Sequence, residues 1–419
     1  MENIQTAWRK PFFTMFFGQV FSIFGSNIVQ FAITVYLALR TNSAIILTLA
    51  MLAGYLPQVV LGPIIGAFVD RSNRKTTMML ADMFVAIASA VLMVAFFLGE
   101  PPFYFIFIIL MLRSLGQGFH EPALLASIPM LVGKDHLTRV GGYRQAVDSL
   151  AIILAPSISA LLLSIMPIAY IMIVDIAGAL IANVILLFWV RIPNPPAVSP
   201  VSKTGFFKGL ASDVLFGVRE LAKTKGLVIL ALALACATFI YVPISTLFIL
   251  LVTQNFNGGK IEIATVQAAF GIGMLLGSLL LGQFGKLKRR VLFMCLTLIV
   301  MGIILLVASW LPPALFILLV ALAGIEGLLF PIMSSPIFAM LQTLIRPSVL
   351  GRVTALVKSV ITLATPLGLL LAGPISELLG VGMWFKISGL FIVVLGVVCI
   401  SFPSIKKLDD LMEQHRQKA

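Results

Sequence analysis

The sequence predicts an all-α membrane protein with twelve transmembrane helices in two pseudo-symmetric six-helix halves. Of 419 residues, 60% are hydrophobic and 11% are charged, and the mean hydropathy is +1.11. Apolar runs of about 20 residues recur along the chain, each long enough to cross the hydrocarbon core as a helix. The alternation of period 2 that is typical of membrane β-barrels is absent. This composition excludes a soluble globular domain, which would need a polar surface.

The apolar runs fall into two groups of six, separated by a long polar segment. We expect an N-terminal bundle at 1–192, a cytoplasmic linker at 193–226, a C-terminal bundle at 227–404 and a cytoplasmic tail at 405–419. The first run has no cleavage site of the signal-peptide type, so we expect it to remain in the mature protein. The predicted spans are 12–39, 43–69, 76–98, 103–129, 141–165, 168–190, 227–252, 263–284, 291–309, 314–341, 354–378 and 383–403.

The basic residues lie in alternate connections between the apolar runs. All but four of the 29 Lys and Arg residues fall on one side, the exceptions being Arg40 and Lys260 on the other side and Arg113 and Lys386 within spans. Because the positive-inside rule places such a side in the cytoplasm, both termini are predicted to be cytoplasmic. The net charge of +13 therefore indicates membrane topology and not nucleic-acid binding.

The linker begins with a proline-rich segment and continues with apolar residues at helical spacing. This spacing predicts an amphipathic helix on the cytoplasmic membrane surface, and a solvated linker helix is the alternative. The apolar face would contain Phe207, Leu210, Val214, Val218 and Leu221.

The two halves resemble each other at an offset of 213 residues. The segment Leu137-Thr138-Arg139-Val140 before the fifth span matches Leu350-Gly351-Arg352-Val353 before the eleventh, and each is followed by a helix that contains proline. Two six-helix repeats are typical of secondary transporters with a binding site near the bilayer midplane.

The end of the second span carries a motif that resembles the signature of the major facilitator superfamily. Gly66, Asp70-Arg71 and Arg74-Lys75 match the pattern Gly-x-x-x-Asp-Arg-x-x-Arg-Lys. A small residue would allow close helix packing, and the acid could pair with a cation or meet a helix N-terminus. We interpret the motif as a conformational latch that favours the outward-open state. The alternative is that its basic residues only set topology.

Further motifs extend the resemblance to bacterial macrolide-efflux proteins of the drug:proton antiporter group. It covers nearly the whole chain and implies proton-driven export of lipophilic drugs across the bacterial inner membrane. Macrolides are the leading candidate substrates. The resemblance rests on Gly18-Gln19, Gly62-Pro63, Arg113-Ser114, Pro122-Ala123, Arg191-Ile192-Pro193, Asn255-Phe256-Asn257-Gly258 and Leu350-Gly351-Arg352-Val353. An exporter of an endogenous amphiphile, such as a siderophore or a lipid, is the alternative.

Three ionisable residues within the spans are candidates for proton coupling or substrate binding. A charge at this depth costs about 2.5–3.5 kcal/mol on insertion scales, so each one needs an explanation. Glu326 lies between two glycines, where macrolide pumps are expected to have an apolar residue. Burial favours the protonated form of a carboxyl, as a proton carrier requires. Asp148 is a second candidate, and Arg113 either assists coupling or forms a permanent ion pair or carbonyl clamp.

Four other residues are weaker candidates. His120 and Glu121 lie near the cytoplasmic end of the fourth span, where a histidine could relay protons or simply be interfacial. Asp82 and Asp175 lie on the third and sixth spans, which stand away from the central cavity in this family, so a helix-packing role is expected for both.

The sequence does not favour an enzyme. It contains no phosphate-binding Gly-x-x-x-x-Gly-Lys-[Ser/Thr] loop, no Ser/His/Asp arrangement and no metal-ligand spacing. We expect a monomeric secondary transporter without a cofactor or metal, whose partners are protons, a lipophilic cationic small molecule and the lipid bilayer. A receptor or scaffold that does not transport is the competing class.

Overall fold

A computed structural model of the chain describes residues 8–133, 136–193, 216–284, 289–334, 336–345, 347–405 and 408–411. In these ranges every regular element is helical. Twelve spans in the described part are long and apolar enough to cross a membrane. The predicted all-α fold class with twelve transmembrane helices is confirmed.

The helices agree closely with the predicted spans. They are α1 (Arg9–Thr41), α2 (Ala44–Val69), α3 (Arg74–Leu98), α4 (Phe103–Leu131), α5 (Leu137–Ile165), α6 (Ile168–Trp189), α7 (Lys225–Phe256), α8 (Lys260–Phe284), α9 (Arg290–Trp310), α10 (Phe316–Ser334), α11 (Pro336–Leu344), α12 (Pro347–Leu379) and α13 (Val381–Ser401).

Three of the predicted spans differ most from the structure at their ends. The eleventh span begins earlier than predicted, since α12 starts at Pro347 and not at residue 354. Helix α7 continues past residue 252 to Phe256, because Asn257 ends it in the left-handed conformation (φ 51°) with its N–H donating to the Val252 carbonyl. The predicted tenth span corresponds to a 3₁₀ turn at Pro313–Leu315, α10 and α11, and residue 335 between the two helices lies outside the described part.

The chain forms two compact units. Unit 1 contains Met1–Thr41, Leu49–Ser199 and Gly259–Ala264. Unit 2 contains Asn42–Thr48, Pro200–Gly258 and Thr265–Ala419. The first unit contains α1, α3–α6 and most of α2. The second unit contains α7, α9–α13 and most of α8.

In unit 1, α1 packs along α6, and α3 packs against both α4 and α6. Gly178 of α6 allows the closest approach, since a Cβ atom there would lie 2.5 Å from the Phe21 carbonyl oxygen of α1. A buried apolar cluster joins the helices at the end of the bundle where α1 begins. It contains Phe12, Ile65, Met78, Leu124, Val140 and Leu186, each from a different helix. This packing fixes the polar side chains that the same helices carry.

In unit 2, α9 and α13 cross at a pair of glycines. A Cβ atom on Gly302 would lie 2.6 Å from the Gly389 carbonyl oxygen, and one on Gly389 would lie 2.7 Å from that of Gly302. The start of the predicted tail belongs to this unit, because Ile405 and Leu408 are buried in its core and Asp409 accepts a hydrogen bond from the Val291 backbone N–H. Residues 405–411 are therefore not a separate tail where the structure describes them.

The predicted amphipathic helix lies only partly within the described residues. Phe207, Leu210 and Val214 fall outside them. Residues 216–222 are helical, with Leu221 buried against the core of unit 2 and Val218 exposed.

Candidate functional site

Unit 1 contains a cavity of about 490 Å³ between its helices. Drug-sized ligands occupy pockets of roughly 300–1,000 Å³, so this volume is adequate for a small-molecule site. Its wall is unusually polar for a membrane interior, with side chains from α1 to α5. The polar residues that line it are Ser22, Ser26, Asn27, Gln30, Tyr55, Gln58, Asp82, Gln117, His120, Glu121, Arg144 and Asp148.

One group of charges on this wall surrounds Arg144 of α5. Its Nε atom donates to both carboxylate oxygens of Asp148, at 2.8 and 2.9 Å, one helical turn away. Its Nη2 atom lies 3.9 Å from Glu121 Oε1. With Asp82, the wall carries three carboxylates against one guanidinium, so its electrostatic field favours a cation.

A second polar group lies deeper, where α1, α3 and α4 meet. His120 Nε2 lies 2.6 Å from Gln19 Oε1 and 3.4 Å from Asp82 Oδ1. The Ser22 hydroxyl donates to the same Asp82 oxygen at 2.8 Å. All four side chains are buried. Asp82 Oδ2 and Gln19 Nε2 are buried without a hydrogen-bond partner among the described residues.

Arg113 and Asp175 form a separate cluster that does not line the cavity. Both side chains are 1% exposed, and Arg113 Nη1 donates to Asp175 Oδ2. Ser89 donates to that oxygen at 2.5 Å and Ser26 to the other one at 2.7 Å, so both carboxylate oxygens are satisfied. Arg113 Nη2 also donates to the Ser26 carbonyl at 3.3 Å. Arg113 therefore makes both an ion pair and a carbonyl contact.

Glu326 lies in unit 2, on α10. The Tyr241 hydroxyl of α7 forms a side-chain hydrogen bond with this carboxyl. Its Oε1 atom is buried without a hydrogen-bond partner among the described residues. Gly327 permits a close approach of α10 to the Phe270 carbonyl of α8, and the ring of Phe330 lies 5.6 Å from that of Tyr241. Glu326 thus has one hydrogen-bond partner among the described residues and lies near aromatic rings.

A family model described as Major Facilitator Superfamily matches residues 15–257 and 230–411. The chain belongs to the Major Facilitator Superfamily. It is accordingly a multi-pass membrane transporter and not an enzyme.

Named relatives and solved structures agree with this assignment. The chain is 38% identical over 402 residues to "Macrolide efflux protein A" of Streptococcus pyogenes, covering 96% of this chain and 98% of that protein. It is 27% identical over 412 residues to "Multidrug efflux pump Tap" of Mycolicibacterium fortuitum, covering 96% and 98%. A peptide transporter crystallised with sulfate shares the fold with a TM-score of 0.73 and 16% identity, covering 94% and 95%.

Two basic residues of the superfamily motif between α2 and α3 contact neighbouring helices. Lys75 Nζ donates to the Val190 carbonyl at 2.8 Å and to the Leu187 carbonyl at 3.2 Å, and Arg74 contacts the Met130 sulfur. Asp70 and Arg71 are exposed. Beyond the nearby backbone of α2 itself, no described atom lies within 4 Å of a Cβ atom placed on Gly66, so the close packing expected at this glycine is not observed.

In this superfamily member, the structure brings together some predicted residues and separates others. Asp82, His120, Glu121 and Asp148 line one cavity. Arg113 and Asp175 pair elsewhere in unit 1. We expected α3 to stand away from the cavity and Asp82 to serve helix packing. Asp82 instead lies on the wall of this cavity, because α3 borders it with Asp82 and Val85. In the described residues, no group of three or more His, Cys, Asp or Glu side chains could hold a metal ion.

Sequence reasoning missed the uncharged partners of these groups. They are Gln19, Ser22, Ser26, Ser89 and Tyr241. A usable signal existed for three of them, since Gln19, Ser22 and Ser26 recur three and four residues apart in an apolar helix. That spacing places polar groups along one face of a helix.

Proposed function

We propose that this transporter exports lipophilic cationic drugs, with macrolide antibiotics as the leading substrates, by proton-coupled alternating access. The observation that carries the proposal is the 38% identity to "Macrolide efflux protein A" over 96% of this chain and 98% of that protein. The substrate named for that protein is the one that we infer for this chain.

The cavity of unit 1 supports a cationic substrate. Its volume of about 490 Å³ suits a drug-sized molecule, and its carboxylates outnumber its one guanidinium. The amine of a cationic drug could pair with Asp148, while the apolar body of the drug contacts the neighbouring helices. A neutral sugar would instead require many matched hydrogen bonds.

Proton coupling requires a carboxyl that exchanges a proton during the cycle. Glu326 and Asp148 are the proposed carriers, since both lie in spans and neither is enclosed in a permanent cluster such as that of Asp175. In the proposed cycle, the drug displaces a proton from one of these acids and leaves outside, and reprotonation from outside resets the transporter. The inward proton gradient thereby drives export. Asp70 and the basic residues after it are proposed to act as a latch in the outward-open state.

Accumulation of radiolabelled erythromycin in a pump-deficient bacterium tests the proposed function. Cells that express the chain should accumulate less drug than cells with an empty vector, and a protonophore should abolish the difference. Unchanged accumulation with a well-inserted protein would exclude macrolides and redirect the search to an endogenous amphiphile such as a siderophore or lipid.

Glu326→Gln tests the coupling step. We expect export by this variant to lose its pH dependence, because an amide cannot exchange a proton. Glu100→Gln is the matched control, since Glu100 is exposed and pairs with Arg40 outside the cavity. Export that keeps its normal pH dependence in Glu326→Gln would remove this residue from the mechanism.

A further inference from the structure

The cluster of Asp82, His120, Gln19 and Ser22 contains an unfilled position. Asp82 Oδ1 accepts a hydrogen bond from Ser22 and lies 3.4 Å from His120 Nε2, but Oδ2 is buried with no donor among the described residues. A buried carboxylate oxygen without a donor is costly, because it has lost its hydration without replacement. Binding a proton at Oδ2 would remove that cost.

The orientation of His120 defines which of its nitrogens can exchange a proton. Nε2 faces two acceptors, Gln19 Oε1 at 2.6 Å and Asp82 Oδ1 at 3.4 Å. A nitrogen between two acceptor oxygens carries a hydrogen in the neutral ring as well as in the cation. The proton that His120 gains or loses is therefore the one on Nδ1.

The charges that face His120 come from all sides of the cluster. Asp82 reaches it from α3, Glu121 from its own helix and Arg144 from α5. The two acids favour the imidazolium, and the guanidinium opposes it. Charges of both signs therefore face the ring, and the Asp82 carboxylate lies 3.4 Å from its Nε2 atom.

The cluster also has a route for protons. Asp82 and His120 both line the 490 Å³ cavity, together with the polar side chains of Gln117 and Gln58. The cavity is large and polar enough to hold water, which needs roughly 10–15 Å³ and two to four polar partners per molecule. A proton can thus reach the pair without crossing apolar packing.

We propose that Asp82 and His120 form a joint proton-binding site on the wall of this cavity, and that drug binding releases the proton they hold. The inferred coupling rests on the proposed drug:proton antiport, whereas the binding of a proton does not. The proton binds either at Asp82 Oδ2 or at His120 Nδ1, and no bond other than that O–H or N–H bond is formed or broken. The pair, which lies in unit 1, would act in addition to Glu326, which lies in unit 2.

The binding step can be measured without transport. The chain has three histidines, so His136→Gln/His415→Gln leaves His120 as the only imidazole signal in isotope-labelled, purified protein. The His120 ring should titrate, and Asp82→Asn should displace its midpoint by about one pH unit or more, as expected for an opposite charge at this distance. Glu100→Gln should leave the midpoint in place. An equal midpoint in Asp82→Asn and the parent protein would overturn the site.

The coupling step is measured as proton release when erythromycin is added to the purified protein in weak buffer. We expect less release in Asp82→Asn and His120→Gln than in the parent protein, because Glu326 still exchanges its proton, and normal release in the conservative variant Asp82→Glu, which also controls for folding. Release in Asp82→Asn equal to that of the parent protein, with release lost in Glu326→Gln, would overturn the coupling role of the pair while the proposed function stands. Absence of release in the parent protein would instead refute the proposed antiport, and the titration would still decide proton binding.

Discussion

Two buried aspartates of unit 1 have opposite environments, although both receive a serine hydroxyl from α1. Asp175 has donors on both carboxylate oxygens and an arginine that is 1% exposed. Asp82 has donors on one oxygen, no described partner on the other, and a histidine as its neighbour. The first arrangement satisfies both oxygens of a charged carboxylate, and the second leaves one oxygen free for the proton that we propose. Position within the membrane alone therefore does not define the role of a buried acid.

The largest effect is expected from breaking the Arg113–Asp175 pair. Arg113→Leu should lower the free energy of unfolding by about 3–5 kcal/mol, because it leaves the Asp175 carboxylate buried without its cation. The loss can be measured by thermal denaturation of the purified protein. Arg113→Leu/Asp175→Leu should recover most of the stability, since an apolar pair of similar size needs no charge compensation. A double variant as unstable as the single one would show that the pair is not the cause.

The serines of α1 offer a matched comparison of intermediate size. Ser26→Ala removes a 2.7 Å hydrogen bond to Asp175 and should cost about 1.5–3 kcal/mol, the range for a bond to a charged group. Ser22→Ala removes a 2.8 Å bond to Asp82 and should cost about 0.5–1.5 kcal/mol wherever that acid is protonated. If both variants lost the same unfolding free energy at acidic pH, the proposed difference between Asp82 and Asp175 would be contradicted.

The smallest effect on stability is expected at Asp82 itself. Asp82→Asn should change the free energy of unfolding by less than about 1 kcal/mol, because the amide keeps an acceptor for Ser22 and removes a buried charge without a full set of donors. Thermal denaturation beside Arg113→Leu would make the comparison direct. A loss as large as that of Arg113→Leu would assign Asp82 to helix packing, as the sequence first suggested.

The sequence alone determined the fold class and the twelve spans, because hydropathy is a local property and each span must satisfy its own backbone hydrogen bonds in lipid. Composition and motifs also identified the superfamily. The ends of α7 and α12 were less predictable, since cap geometry and packing extend a helix beyond its apolar run.

Only the tertiary structure decided which polar groups meet. Arg113 is 31 residues from Asp82 and 62 from Asp175, yet it pairs with the more distant acid. Ser22 and Ser26 are four residues apart on α1 and bind different aspartates, because α1 passes Asp82 on α3 and Asp175 on α6 at successive turns. Such pairings depend on which helices are neighbours and on how they are rotated, and neither property is encoded in the hydropathy of a single span.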